Sequence, residues 1–329
     1  VYQGRFVLPI PIAWNEDRTR LYFIEAGHLV VFEPDKARSI AVPFTAERYW
    51  PKGVVHFRQI HPIRVAVRRI FLGPGEELLY LKSVSSRIQS EQFLCLGPDK
   101  DAGEDKVLFR GSRGHLLREI DANPRKRFLV GSLVSAGKAE LALFDYAGNI
   151  IKSHRFQPTD PYNIRYLNLS KDCRKCYFTA TKLGRNIAGL YSLDFDTDTV
   201  RRLATSERSP FLISSLSPND RYLAFTNGMN AAFLFNLATS ETCKVLSLDG
   251  LSEVEWALLA ELGISWCIGR PAWSPDGKIV VFSLDRPEAK VAGPKKLEDF
   301  RFRSYTAVVS IPTKEVLLIP ARYGACAVR

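Results

Sequence analysis

A chain of 329 residues with 46 Lys and Arg against 35 Asp and Glu carries a net charge of +11, a balance that favours acidic partners or surfaces. No apolar run approaches the roughly 18 residues of a membrane-spanning helix, and no signal-peptide pattern opens the chain. The length alone would allow two domains, so internal repetition has to decide the organisation.

Val1 to Leu8 (VYQGRFVL) is strand-like and could close a ring of repeats. Asn15-Glu16-Asp17-Arg18-Thr19 is a turn leading to an apolar run at Phe23, and His28–Phe32 and Ser39–Val42 flank a second turn at Pro34-Asp35-Lys36. A long connector follows, from Thr45 to Arg69, in which Arg48, Tyr49, Trp50, Lys52, His56, Arg58, His61 and Arg64 mix basic and aromatic character. Two histidines five apart make a poor metal site; a strip for a partner, or one that packs over the repeats, fits better. Leu72 to Glu76 starts the next copy, ending at Tyr80, and Gly97 to Asp105 reads as a solvated turn rather than a calcium loop, because the ligand spacing is irregular.

Ala122-Asn123-Pro124-Arg125-Lys126 leads to Val130, and Leu141–Tyr146 with Ile150–Ser153 flank Ala147-Gly148-Asn149. Gly131 to Lys138 is superficially like a phosphate loop, but it has a residue too many, lacks Ser or Thr after Lys138, and sits in an expected hairpin. Ser170 to Arg174 leads to Phe178 and Ser217 to Arg221 leads to Phe225, each followed by a hairpin, at Asp196-Thr197-Asp198 and Ala238-Thr239-Ser240. Leu251 to Leu262 breaks the β pattern: Ser252 with Glu255 is a capping box, Gly263 can end the helix, and Val254, Leu258 and Leu262 fall on one stripe. Ala272 to Ser283 (AWSPDGKIVVFS) holds the fullest copy of the turn, and Leu284 to Ser304 is a basic insertion behind it.

The six anchors, Phe23, Tyr80, Val130, Phe178, Phe225 and Phe282, lie 47 to 57 residues apart. Four short strands per unit at that period predict an all-β chain, a six-bladed β-propeller of four-stranded antiparallel blades with one short helix near 251–262. Seven blades is the alternative. As a single domain over 1–329, the blades would run approximately 9–44, 65–112, 117–156, 164–205, 211–248 and 270–320. The repeated turn, complete at Ser274-Pro275-Asp276-Gly277-Lys278, resembles that of the TolB-like and WD-repeat-like propellers. That resemblance implies a propeller and no particular activity, since such propellers serve as binding scaffolds and as parts of enzymes.

In such a blade, interblade connectors and the loop between strands two and three leave from one end. The sequence therefore predicts a basic channel mouth made from Arg48, Trp50, His56, His61, Arg113 or Arg118, Arg165, Arg208 and Arg270, flanked by Lys295, Lys296, Arg301 and Arg303 of the insertion. Pairing of each arginine with a carboxylate such as Glu47, Asp160 or Glu207 is the bland alternative. The function expected is a non-catalytic scaffold for an acidic protein or peptide, with no cofactor and no metal. The alternatives are an enzyme of hydrolase or lyase type with its site in the channel, or the accessory propeller of a peptidase-like system. No nucleophile–base motif is readable, and among five histidines His56, His61 and His115 fall in connectors. Nucleic acid is disfavoured, because the aromatics sit at positions expected to be buried. Cys173 and Cys176 look like a redox or metal half-site, yet Cys173 falls where Gly277 stands in the full turn and no second pair follows. Cysteine usage points weakly to a reducing, cytoplasmic setting.

Overall fold

The computed structural model describes residues 13–14, 21–25, 28–33, 38–42, 64–72, 78–85, 90–97, 106–111, 115–135, 138–157, 163–181, 188–206, 212–227, 229–262, 264 and 267–320. Their strands form six four-stranded antiparallel sheets, each a meander in chain order. The first three are β1 (Ala13–Trp14), β2 (Leu21–Glu25), β3 (His28–Glu33) and β4 (Arg38–Val42); β5 (Arg64–Leu72), β6 (Leu78–Ser85), β7 (Ser90–Gly97) and β8 (Lys106–Gly111); and β9 (His115–Asn123), β10 (Phe128–Ser135), β11 (Lys138–Asp145) and β12 (Ile150–Arg155). The others are β13 (Arg165–Leu169), β14 (Lys175–Thr181), β15 (Ala188–Asp194) and β16 (Thr199–Ser206); β17 (Ile213–Leu216), β18 (Tyr222–Thr226), β19 (Ala231–Asn236) and β20 (Thr242–Ser247); and β21 (Ala272–Trp273), β22 (Ile279–Ala289), β23 (Phe300–Ser310) and β24 (Val316–Pro320). A helix, α1 (Glu253–Glu261), stands between the last two sheets. Each sheet is one blade of a β-propeller, and every one of the six anchors lies on its second strand. The chain divides into two compact units, 1–157 and 158–329, with three sheets each.

The repeated turn explains the local fold. Gly277 N–H donates to Ser274 O and Ser274 N–H to Ile279 O, so a tight turn is followed by one left-handed residue, Gly277 at φ 69°. Ser274 Oγ accepts Ile279 N–H at 2.9 Å and donates to Asp276 Oδ1, which also accepts Lys278 N–H. These bonds hold the Asp276 carboxyl below its ordinary value, the Ser274 hydroxyl contributing most. Ser217 with Asn219 and Ser170 with Asp172 repeat the geometry. The glycine position is taken by Asp220 at φ 54° and by Cys173 at φ 63°. Cys173 is thus a turn residue whose thiol is buried, as is that of Cys176 on the strand behind it. In the third sheet the left-handed residue is Arg127, two places later than the aligned position Arg125, because Pro124–Lys126 forms a 3-10 turn.

Apolar faces pack blade against blade within each unit. Leu79, Leu94 and Leu108 meet Leu117, Leu129 and Phe144 between the second and third sheets. Leu190 and Tyr177 meet Leu223 and Phe225 between the fourth and fifth, and Leu234 meets Phe282 and Val280 between the fifth and sixth. Burying each such side chain contributes about 1.5–3 kcal/mol. The Gly131–Lys138 stretch is the β10–β11 hairpin, as expected. At Gly131 a Cβ would lie 2.5 Å from Leu117 Cδ1, so this glycine permits close packing and cradles nothing.

Helix α1 starts as read: Ser252 N–H donates to Glu255 Oε2 at 2.7 Å and Glu255 N–H donates back to Ser252 Oγ. Its buried face differs from the stripe expected. Leu259 is buried and Trp256 packs on the core between the fifth and sixth sheets, whereas Val254 is 78% exposed and Leu262 is also exposed. In a helix of nine residues one anchor a turn suffices, and the longer stripe has nothing to meet.

Candidate functional site: the connector end of the second unit

Within unit 158–329 the inner strands β13, β17 and β21 are tied side by side. Asn168 Nδ2 donates to Ser214 Oγ and to Tyr166 O, its Oδ1 accepts Leu216 N–H, and Trp273 Nε1 donates to Ser215 O. The inner strands therefore share a direction, and their leading residues share an end. Register places the connection between strands two and three at that end too, since Arg165 faces Thr179 near the end of β14 and Ala188 faces Thr181. Two links confirm it in the last blade: Ile268 bridges to Leu284, and Arg286 Nη2 donates to Asp249 O at 3.1 Å. The connector carrying α1 and the 284–304 insertion thus meet.

Arg165 opens β13 and is exposed; its Nε donates to the Asn163 side-chain oxygen at 3.4 Å. Beside it lies a shallow recess lined by Asn163, Arg165, Tyr166, Thr179, Thr181 and Leu212. Tyr166 sits at φ 52°, a strained conformation for a tyrosine, held by the Asn168 and Ser214 bonds to its carbonyl. Arg270, half-buried, stands just ahead of β21. Such an end offers planar donors to carboxylate or phosphate groups.

Of the other residues expected at the channel mouth, Arg48, Trp50, His56, His61 and Arg208 lie outside the described residues, as do Glu47, Asp160 and Glu207, and Val1 to Leu8. Arg118 is not in a connector: β9 begins at His115, so Arg118 is an exposed residue inside an inner strand, and His115 likewise belongs to that strand. The other residue expected for that connector, Arg113, lies outside the described residues.

The basic insertion is a hairpin rather than a loop. β22 and β23 stay in register out to Ala289 and Phe300. Its charges are partly matched: Arg303 Nε lies 3.1 Å from Glu288 Oε2, and Lys296 Nζ 2.9 Å from Glu298 Oε2, which raises the Lys296 ammonium above its ordinary value. Lys295 and Arg301 are exposed. Among the described residues no three metal-ligating side chains stand together, and no helix is long and apolar enough to cross a membrane.

No family model matches the sequence, and no curated protein matches it. Solved structures do. The chain is similar to hydrazine synthase of Kuenenia stuttgartiensis at 13% identity and TM-score 0.53, over 98% of this chain and 99% of that one. It is similar to a TolB-type protein of Agrobacterium tumefaciens at 14% identity and TM-score 0.50, over 88% and 87%. It is also similar to an oligogalacturonate lyase in complex with manganese at 11% identity and TM-score 0.51, over 94% and 76%. Identities this low speak to fold alone, and the fold they share with the six four-stranded sheets is the β-propeller.

Proposed function

We propose that this chain is a non-catalytic scaffold, a single propeller that binds a protein or peptide of acidic character at its connector end. The observation that carries the reading is the Arg286–Asp249 bond, which brings the connector elaboration and the strand two–three elaboration to the same end of the second unit. Additions to a repetitive scaffold that gather at one end mark the working end, because loops on rigid supports carry binding groups. Arg165 and Arg270 at that end supply guanidinium donors, and the net charge of +11 steers acidic partners toward it.

The test is capture from native lysate with the wild type beside Arg165→Glu/Arg270→Glu, followed by identification of what is retained. An acidic protein held by the wild type and lost by the double variant supports the reading. The same proteins retained by both would refute it.

A further inference from the structure

An arm extends the last blade. β21 pairs with β22 only at Val280 and Val281, and β24 pairs with β23 only from Tyr305 to Val309. Among the described residues, the two strands from Arg286 and Arg303 to Ala289 and Phe300 pair only with each other. Four such rungs reach about 14 Å past the rest of the sheet. A two-stranded ribbon is marginal by itself, so this one needs props.

The props are present. Arg286 ties the base to Asp249 O, Ser304 Oγ donates to Asp285 Oδ1 at 2.6 Å, and Arg303 pairs with Glu288. At the tip, Lys295 and Lys296 N–H both donate to Asp299 Oδ2, Lys290 N–H donates to Asp299 O, and Lys290 Nζ donates to Glu298 O. Those donors hold the Asp299 carboxyl below its ordinary value, the Lys295 N–H foremost. These bonds tie the tip to itself. Phe300 is buried at 3% exposure, and Pro294 is buried as well.

The tip leaves apolar side chains in water among cations. Val291 is 51% exposed, Leu297 40% and Phe302 37%, amid exposed Lys290, Lys295, Lys296 and Arg301. The acidic groups there, Glu298 and Asp299, are already engaged by Lys296 and by the loop's own N–H groups. Space is open at its turn: a Cβ on Gly293 would meet nothing within 4 Å. A peptide site needs walls, whereas a bilayer moulds itself to a protrusion. Apolar side chains ringed by cations match a water–hydrocarbon boundary with negative headgroups.

We propose that the tip of the β22–β23 arm docks on an anionic lipid bilayer, with Val291, Leu297 and Phe302 entering the interface while Lys295 and Arg301 meet the headgroup phosphates. The test is co-sedimentation of the full chain with vesicles of phosphatidylcholine alone and of phosphatidylcholine with phosphatidylserine. Binding is expected only to the anionic vesicles and should weaken as salt rises. Leu297→Ser/Phe302→Ser, which keeps every charge, should lower vesicle affinity about tenfold or more, as should Lys295→Glu/Arg301→Glu, both with unchanged melting temperature. A chain that ignores anionic vesicles overturns the proposal. So does one whose binding survives Leu297→Ser/Phe302→Ser, since that is adsorption by net charge. Loss of an acidic protein partner in these variants, with vesicle binding intact, overturns it in favour of a peptide at the tip. Arg165→Glu/Arg270→Glu should leave vesicle binding within about twofold, which separates this result from the scaffold reading.

Discussion

Asn168 Nδ2 donates to Ser214 Oγ at 3.0 Å, joining the inner strands of two successive blades through a side chain that is 4% exposed. The same amide accepts Leu216 N–H and donates to Tyr166 O, so one residue satisfies three groups across the joint. Replacing it by alanine strips Leu216 N–H of its acceptor and leaves Ser214 Oγ and Tyr166 O only their long mutual bond, in a partly buried setting. Asn168→Ala should cost about 2–4 kcal/mol in chemical denaturation. A loss below about 0.5 kcal/mol would mean the joint is held by its apolar contacts alone.

The left-handed turn position gives a second expectation. Alanine at Gly277 would face both an unfavourable φ of 69° and Asn219 Nδ2 at 2.7 Å from the new Cβ. Gly277→Ala should destabilise by about 1–2 kcal/mol or more. Lys314 occupies the same conformation, at φ 58°, in an exposed hairpin. Lys314→Gly should gain up to about 1 kcal/mol, and thermal melts of the two variants would show opposite signs.

Asp220 supplies a pH signature. Burial pushes its carboxyl above the ordinary value, although Lys171 N–H donates to it at 2.7 Å. The folded state therefore favours the neutral acid. That contribution is complete below the unfolded value near 3.8 and is lost as pH rises through the raised folded value. Asp220→Asn keeps an acceptor for Lys171 and carries no charge. It should melt higher than the wild type at neutral pH, with the gap closing toward pH 3. A constant gap across pH would assign the effect to packing. Tyr177, pushed up to about 12 by burial and then by the Asp220 charge, should titrate lower in the same variant when followed by ultraviolet absorbance.

Thiol chemistry tests the reading of the cysteines as structural. Burial, with a lesser contribution from Asp285, pushes the Cys267 thiol up to about 12, and Cys173 and Cys176 are buried. Iodoacetamide should leave all three unmodified in the native chain at neutral pH and label them after unfolding, read by mass spectrometry. Rapid native labelling of Cys173 or Cys176 would reopen the redox reading.

The blades were legible because a turn that needs Ser, Asp and a left-handed residue leaves a recognisable trace, even where Cys173 or Asp220 replaces glycine. The arm was not. Pro287, Glu288 and Lys290 interrupt the apolar alternation that marks a strand, and the pairing out to Ala289 and Phe300 is sustained by cross-strand partners such as Arg303 and Glu288 rather than by local propensity. Arg118 escaped for a related reason, since β9 begins earlier than its apolar run suggests. At the site, chemistry could be read from residue type, but only register and the Arg286–Asp249 bond show which groups of the second unit share an end.

The scaffold reading meets its most direct test in the dissociation constants of arrayed peptides graded in net charge, measured by fluorescence anisotropy for the wild type and for Arg165→Glu/Arg270→Glu. Affinity that rises with peptide acidity and falls at least tenfold in the double variant, at equal thermal stability, is the expected result. Equal affinities in the two proteins would contradict it.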